Sequence, residues 1–266
     1  MSGGISDQVH AHIKLAEDYA KNLPRINLEG NGRRVVFRTP SRVATLRVVS
    51  LFSKEPETVA WIESMDAGTV LYDVGANMGL YSIWAAVTRD ARVYAFEPEA
   101  ASYATLCGNI FDNGVGGRAK AYCLGISDMA GLGEIMLTSL EAATSGHQVN
   151  VAKATPKAPH TVEFPQGVVT RTLDALVYED GLPCPTHVKV DVDGLEHAIV
   201  DGAARLLADP RLRSVLIELD LNSPDHLATM AAIQAAGFTR DEATHQKLLQ
   251  KTTGANALIG NIIFSR

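Results

Sequence analysis

Apolar and polar positions change their period repeatedly along this chain of 266 residues. Val70 to Val74 is a short apolar run interrupted only by Asp73, the pattern of a strand buried in a parallel sheet. It opens at once into Leu80, Ile83, Trp84 and Val87, whose spacing predicts a helix with one apolar face. Arg92 to Phe96 reads as a second strand. In His187 to Asp191, Val188 and Val190 take one face while Lys189 and Asp191 take the other, and Ser214 to Asp220 repeats the pattern with Glu218 and Asp220 together near its carboxyl end. Short strands alternating with helices demand a parallel sheet, so the pattern predicts an α/β domain.

The flanks are less regular. Ser6 to Asn22, with Val9, Ile13, Ala16 and Ala20 on one side, predicts a first helix; Arg34 to Thr39 predicts a strand and Glu57 to Met65 another helix. This N-terminal zone, residues 1–66, is expected to cover the active site or to build a homodimer contact, with the main domain occupying residues 67–266. Ser139 to Gln166 is rich in Ala, Thr, Ser and Pro and reads as a substrate-side loop in which His147 and His160 are candidates to meet an acceptor. Val168 to Arg171 then reads as strand, and Thr172 as the cap of a helix. Asp225 to Ala236 predicts a helix stopped by Gly237, and Phe238-Thr239 and Ala257 to Phe264 read as the last two strands. Between them the polar stretch Glu242 to Thr253 is expected at the active-site mouth, with His245 a second-rank substrate contact.

The turn after the first strand carries chemistry. Gly75 and Gly79 allow a tight turn and close approach of a ligand to the backbone. A dinucleotide fold would show Gly-x-Gly-x-x-Gly for a pyrophosphate, but here the middle glycine position is Asn77 and the third falls on Leu80. A carboxylate, Asp73, stands at the strand end instead and suits a cationic ligand. S-adenosylmethionine carries an ammonium and a sulfonium and no phosphate. Glu97, at the end of the second strand, falls where an acid receives a ribose, and Pro98 ends the ladder by removing an N–H.

Ordered blocks now accumulate: Asp73-Val-Gly-Ala-Asn-Met-Gly79, Phe96-Glu-Pro98, Asn109 with Asn113-Gly114, Gly125-Ile-Ser-Asp128, Thr172-Leu-Asp174 and Lys189-Val-Asp-Val-Asp-Gly-Leu-Glu196. With these, the chain from about Val70 to Glu218 resembles the FkbM-type methyltransferases. One departure is Asp193-Gly194 where that family usually has Glu-Gly, a shift of about one methylene in reach. The resemblance implies a Rossmann-like class I methyltransferase: a seven-stranded, mostly parallel sheet, an antiparallel C-terminal hairpin and an N-terminal helical extension. It implies S-adenosylmethionine held by Asp73, Gly75, Ala76, Asn77, Gly79, Glu97 and Pro98, with Asp128 approaching the adenine. It also implies O-methylation of a hydroxyl on a sugar, glycan or secondary metabolite.

Two mechanisms fit the acids of the later strands. Lys189, Asp191 or Asp193 takes the proton of the acceptor hydroxyl. Alternatively Asp191 and Glu218, with Asp193 or Asp220, hold a divalent cation, Mg or Mn, that lowers the hydroxyl's pKa. Charged residues in a buried strand are costly unless paired, so Lys189 and Asp191 are expected to join an ion-pair network, and Lys189 would compete with a cation for that carboxylate. A third possibility leaves these acids purely structural. A non-catalytic adenosyl-binding regulator on the same fold is the alternative function.

Composition narrows the partners. A formal charge of −6 and a pI of about 5.7 lack the basic stripe that neutralises phosphates, so a nucleic-acid partner is not expected and a small-molecule or glycan acceptor is. No stretch approaches the ~18 apolar residues of a membrane span, and no basic-then-apolar leader pattern is seen, which predicts a cytoplasmic protein. Cys107, Cys123 and Cys184 are widely spaced without a Cys-x-x-Cys pair and read as reduced thiols rather than a zinc site.

Overall fold

A computed structural model of the chain describes residues 3–146, 148–150, 164–250 and 257–266. Helix α1 (Gly3–Lys21) leads into an antiparallel hairpin of β1 (Arg25–Gly30) and β2 (Arg33–Arg38), followed by α2 (Arg42–Val49), α3 (Leu51–Lys54) and α4 (Pro56–Glu63). The alternating part then runs β3 (Val70–Val74), α5 (Leu80–Thr88), β4 (Arg92–Phe96), α6 (Ala100–Asp112), β5 (Ala119–Tyr122). A lateral excursion follows: β6 (Gly125–Ile126), β7 (Gly131–Leu137), β8 (Gln148–Asn150) and β9 (Phe164–Arg171). The chain returns through α7 (Leu173–Tyr178), β10 (His187–Val190), α8 (Glu196–Asp201), α9 (Ala204–Ala208), β11 (Ser214–Asp220), α10 (Pro224–Ala235), β12 (Thr239–Arg240), α11 (Glu242–Leu249) and β13 (Ile259–Ser265).

The main sheet has seven strands in the order β12-β13-β11-β10-β3-β4-β5, parallel except for β13, which is antiparallel to both neighbours. This is the Rossmann-like architecture and C-terminal hairpin that the sequence implies. Successive residues of each strand point to opposite faces, so two cores form. On one face Leu71 packs with Trp84, Ile83 and Leu106; on the other Tyr72 packs with Val188, Ile199, Ile217 and Phe264. Each fully buried aliphatic side chain contributes roughly 1.5 to 3 kcal/mol. The N-terminal zone shares the first core: Val35, Phe37, Val48, Leu51, Ile62 and Met65 are buried beside Leu71 and Trp84. Helix α1 by contrast is exposed from Ser6 to Asn22.

Of a four-stranded sheet, β6-β9-β7-β8, the sequence reading expected only the strand at Val168 to Arg171. The sheet replaces part of the stretch expected to be loop: β9 begins at Phe164, four residues before the strand expected at Val168, and β8 pairs with β7. The alternation that would betray β7 is weak, because it starts Gly131-Leu132-Gly133 and buries only Ile135 and Leu137, against Val168. His147 and His160 lie outside the described residues.

The expected strand Arg34 to Thr39 and helix Glu57 to Met65 are present within a residue or two, and Thr172 caps α7 by accepting from the Ala175 N–H at 2.9 Å. The C-terminal segment differs from expectation. Glu242 to Leu249 is a helix capped by Asp241 and packed on β13 through Thr244 and Leu248. His245 meets Arg240 at 3.3 Å and does not line the cavity described below. Among the described residues the three cysteines form no disulfide, and no helix is long and apolar enough to cross a membrane.

Candidate active site

A cavity opens at the carboxyl ends of β3, β4 and β10, where ligands of open α/β sheets bind. Its floor is the turn from β3 to α5. There Gly75 and Ala76 donate their N–H groups to the Phe96 carbonyl at 3.0 and 3.1 Å, knitting the turn to the end of β4. Gly75 and Gly79 both have positive φ, 76° and 82°. A Cβ on Gly75 would stand 2.0 Å from the Asp191 carbonyl oxygen, and one on Gly79 would stand 2.3 Å from Leu106 Cδ1. The glycines therefore admit other parts of the protein, a different reason from the ligand approach expected of them.

Asn77, in the place of the dinucleotide fold's middle glycine, also has positive φ, 51°, which asparagine tolerates. Its backbone N–H donates to Glu97 Oε2 at 2.7 Å, and its side-chain Nδ2 donates to the Thr144 carbonyl at 2.9 Å. Glu97 is buried in the wall and accepts a second backbone bond, from Glu99 N–H to Oε1 at 2.8 Å. Burial pushes its carboxyl up to about 7, with Glu99 and Asp73 adding to the rise and the two backbone N–H bonds opposing it. Each carboxylate oxygen has a further lone pair beyond those bonds. Around Glu97 stand Phe96, Pro98, Leu124, Ile126 and Val168, an apolar surface suited to a purine. The wall thus fits an adenosyl group: a carboxylate for hydroxyl donors beside an apolar slot.

The opposite part of the wall holds Lys189, Asp191 and Asp193. Lys189 is 1% exposed; its Nζ donates to Asp191 Oδ2 at 2.8 Å, stands 3.9 Å from Asp73 Oδ1 and lies over the Tyr81 ring at 5.0 Å. Burial lowers the tendency of this ammonium to hold its proton, but the charges of Asp191, Asp73 and Glu55 outweigh it and raise its pKa. Against the opposing effect of burial, the Lys189 charge and hydrogen bond hold Asp191 below the usual carboxylate range. The expected ion-pair network is present. Asp193 accepts from the Gly146 N–H at 2.6 Å.

Several predicted residues stand elsewhere. Asp73 lies behind the wall rather than in it: β3 and β10 pair it with Lys189, and its Oδ2 accepts from Ser82 Oγ at 2.6 Å. Burial raises its pKa. Ser127 lines the cavity and Asp128 does not. Glu218 and Asp220 are also outside the lining. Burial, with the charges of Asp191, Glu196 and Glu55, pushes Glu218 up to about 8, while Asp220 Oδ1 accepts from the Asn222 N–H at 2.8 Å. The donors proposed for a divalent cation do not converge: Asp191 gives an oxygen to Lys189, Glu218 is out of the cavity, and among the described residues no three His, Cys, Asp or Glu side chains are placed to hold a metal ion.

Part of the wall comes from residues that no motif marked. α2, α3 and the start of α4 bring Arg47, Ser50, Leu51, Lys54 and Glu55 to the cavity, and Tyr81 donates its hydroxyl to Glu55 Oε2 at 2.8 Å. Residues 142–146 strap across it. Ser41 Oγ donates to the Ala142 carbonyl at 2.8 Å, Arg47 Nε to the Ala143 carbonyl at 2.7 Å, and Asn77 to Thr144. The one available signal was Glu55-Pro56, an acid held just before a proline that starts a helix. Conversely, some motif residues are structural. Asn109 bridges the Met78 carbonyl and the Arg38 N–H at 2.8 and 2.7 Å, Asn113 grips both backbone groups of Val36, and Asp174 accepts from the N–H groups of Arg205 and Leu206.

Comparison with known proteins gives three further findings. The methyltransferase FkbM domain matches residues 73–239. Over 195 residues the chain is 26% identical to 31-O-demethyl-FK506 methyltransferase FkbM of Streptomyces tacrolimicus, covering 65% of this chain and 73% of that one. Solved structures similar to it include methyltransferase FkbM of Methylobacillus flagellatus KT, at 14% identity and a TM-score of 0.46 over 85% of this chain and 55% of that one. Fibrillarin of Aeropyrum pernix, solved with natively bound S-adenosyl-L-methionine, aligns at 10% identity and a TM-score of 0.49 over 90% of this chain and 82% of that one.

Proposed function

Since the chain belongs to the FkbM methyltransferase family and is an S-adenosylmethionine-dependent enzyme, we propose that it methylates a hydroxyl of a sugar, glycan or secondary metabolite, with Asp191 as general base. The observation that carries this reading is the carboxylate of Asp191 in the cavity wall, fixed by the buried ammonium of Lys189. The name of the Streptomyces relative, a methyltransferase of 31-O-demethyl-FK506, supports an oxygen acceptor. When bound, the cofactor supplies a methyl group on a positively charged sulfur.

The chain's own residues do the rest. Glu97 receives the ribose hydroxyls on the lone pairs that Asn77 and Glu99 leave, and Phe96, Leu124, Ile126 and Val168 take the adenine. Asp191 stays ionised through the neutral range because Lys189 holds its pKa down. It accepts the hydroxyl proton as the oxygen bonds to the methyl group and becomes acidic. Lys189 keeps that carboxylate in one orientation, and Asp193 ties the strap to the same wall through Gly146. Glu218, pushed up to about 8, is largely protonated at neutral pH and serves as packing for the Asp191 wall.

The test is transfer of labelled methyl from S-adenosylmethionine to a panel of hydroxylated small molecules, with and without chelator. Product methylated at oxygen, formed equally with chelator, is the expected result. Methylation only at nitrogen or carbon, or activity that chelator abolishes and Mg²⁺ or Mn²⁺ restores, would overturn the acceptor or the metal-free base respectively.

A further inference from the structure

The cavity wall carries five carboxylates, on Glu55, Glu97, Glu99, Asp191 and Asp193, and three cations, on Arg47, Lys54 and Lys189. Two of the cations meet carboxylates: Lys189 meets Asp191 and Asp73, and Lys54 meets Glu55 at 3.0 Å. Arg47 does not. It is half-buried on the cavity side of α2, its Nε is spent on the Ala143 carbonyl, and among the described residues no carboxylate stands within ion-pair distance of its guanidinium. Its charge reaches Asp191, whose pKa it helps to lower, but among the described residues its two terminal nitrogens have no hydrogen-bond partner, so a half-buried guanidinium here favours a further anion. Its planar fork matches a carboxylate in particular.

The position of Arg47 says which carboxylate. Consecutive carbonyls of the strap hold it and the cofactor turn together: Ala143 takes Arg47 and Thr144 takes Asn77. With the adenosine at Glu97, the rest of the cofactor has to run along the turn, past Gly75 and Asn77, toward the strap. The only anionic group of S-adenosylmethionine is the α-carboxylate at that far end. On the reading of the site given above, we propose that Arg47 anchors the α-carboxylate of S-adenosylmethionine, so that the N-terminal helices supply a cofactor contact as well as a cover.

Calorimetric titration of the full chain without acceptor tests this. The ligands are S-adenosylhomocysteine and the analogue in which hydrogen replaces its α-carboxylate. Wild type should prefer the carboxylated compound by about tenfold to a hundredfold, the worth of charge-assisted hydrogen bonds. Arg47→Gln should lose most of that preference with a melting temperature lowered only by the loss of the Ala143 hydrogen bond, and Arg47→Lys should keep part of the preference. An Arg47→Gln protein that retains the full preference overturns the assignment and places the carboxylate elsewhere; a carboxylate on the acceptor would give this result, with the defect confined to the acceptor's KM. Equal weakening of both compounds also overturns it, because the residue then acts only through the strap. A wild type that binds neither compound overturns the cofactor site itself, an outcome distinct from failure at Arg47 alone.

Discussion

The two halves of the cavity wall are built on different principles. The floor and Glu97 itself lie within one stretch of chain, from Val70 to Glu99, where the turn, its partner strand and the acid follow each other in sequence and bond to each other, and only the apolar slot beside Glu97 draws on Leu124, Ile126 and Val168 from further along. The opposite side joins parts far apart in sequence: α2 and α3, the strap at residues 142–146, and the end of β10. A short-range wall can be written as a motif, because each residue fixes its near neighbours. A long-range wall depends on packing of whole elements: the Lys189 to Glu196 block at the end of β10 is marked in the sequence, but Arg47 on α2 and the strap that complete the wall are not.

Substitutions should therefore separate the two. The largest effect is expected at Asp191, where Asn keeps the shape and removes the proposed base. Methyl transfer should fall by about 10²- to 10⁴-fold while affinity for S-adenosylhomocysteine changes less than about twofold. A fully active Asp191→Asn would mean that the chemistry sits on another group. Next is Gly75→Ala, which joins the walls by force: its Cβ would press on the Asp191 carbonyl and its φ is 76°. Loss of about 3 kcal/mol or more is expected in denaturant unfolding. A variant of unchanged midpoint would show that the turn and β10 are not in close contact. The smallest effect is expected at Ser41, which caps α2 by accepting from the Ala44 N–H at 2.9 Å and holds the strap through Ala142. Ser41→Ala should cost about 1 kcal/mol in melting experiments and leave cofactor binding within about threefold. A tenfold loss of binding there would show the strap to be more than a cover.

The same contrast accounts for what could be read from sequence. The periodicity of Leu80, Ile83, Trp84 and Val87 and the alternation at Val188 and Val190 are imposed by a sheet buried on both faces, so the α/β order was legible. Asp73 and Glu97 look alike in sequence, each an acid at the end of a buried strand. One faces Lys189 behind the wall and the other lies in the wall, a difference that depends on β10 and cannot be seen locally. The rest of the second sheet escaped because β7 has glycines at two of its first three positions and little apolar alternation. Arg47 and Glu55 escaped because the helices carrying them sit before the motif region and reach the site only by packing on Leu71 and Trp84.

The central claim is that the cavity at Glu97 is the cofactor site, and it is tested most directly by titrating wild type and Glu97→Gln with S-adenosylhomocysteine at two pH values. On this account ribose hydroxyls donate to the ionised carboxylate, whose pKa burial pushes up to about 7 in the free protein. Below that pH the proton must leave before the ligand can bind, so wild-type affinity should rise about tenfold from pH 6 to pH 8, with one site of roughly micromolar affinity. Glu97→Gln, folded as judged by circular dichroism, should bind at least tenfold more weakly at pH 8 and show no such rise. Equal affinity of the two proteins, or a wild type whose affinity falls as the pH rises, would contradict the account.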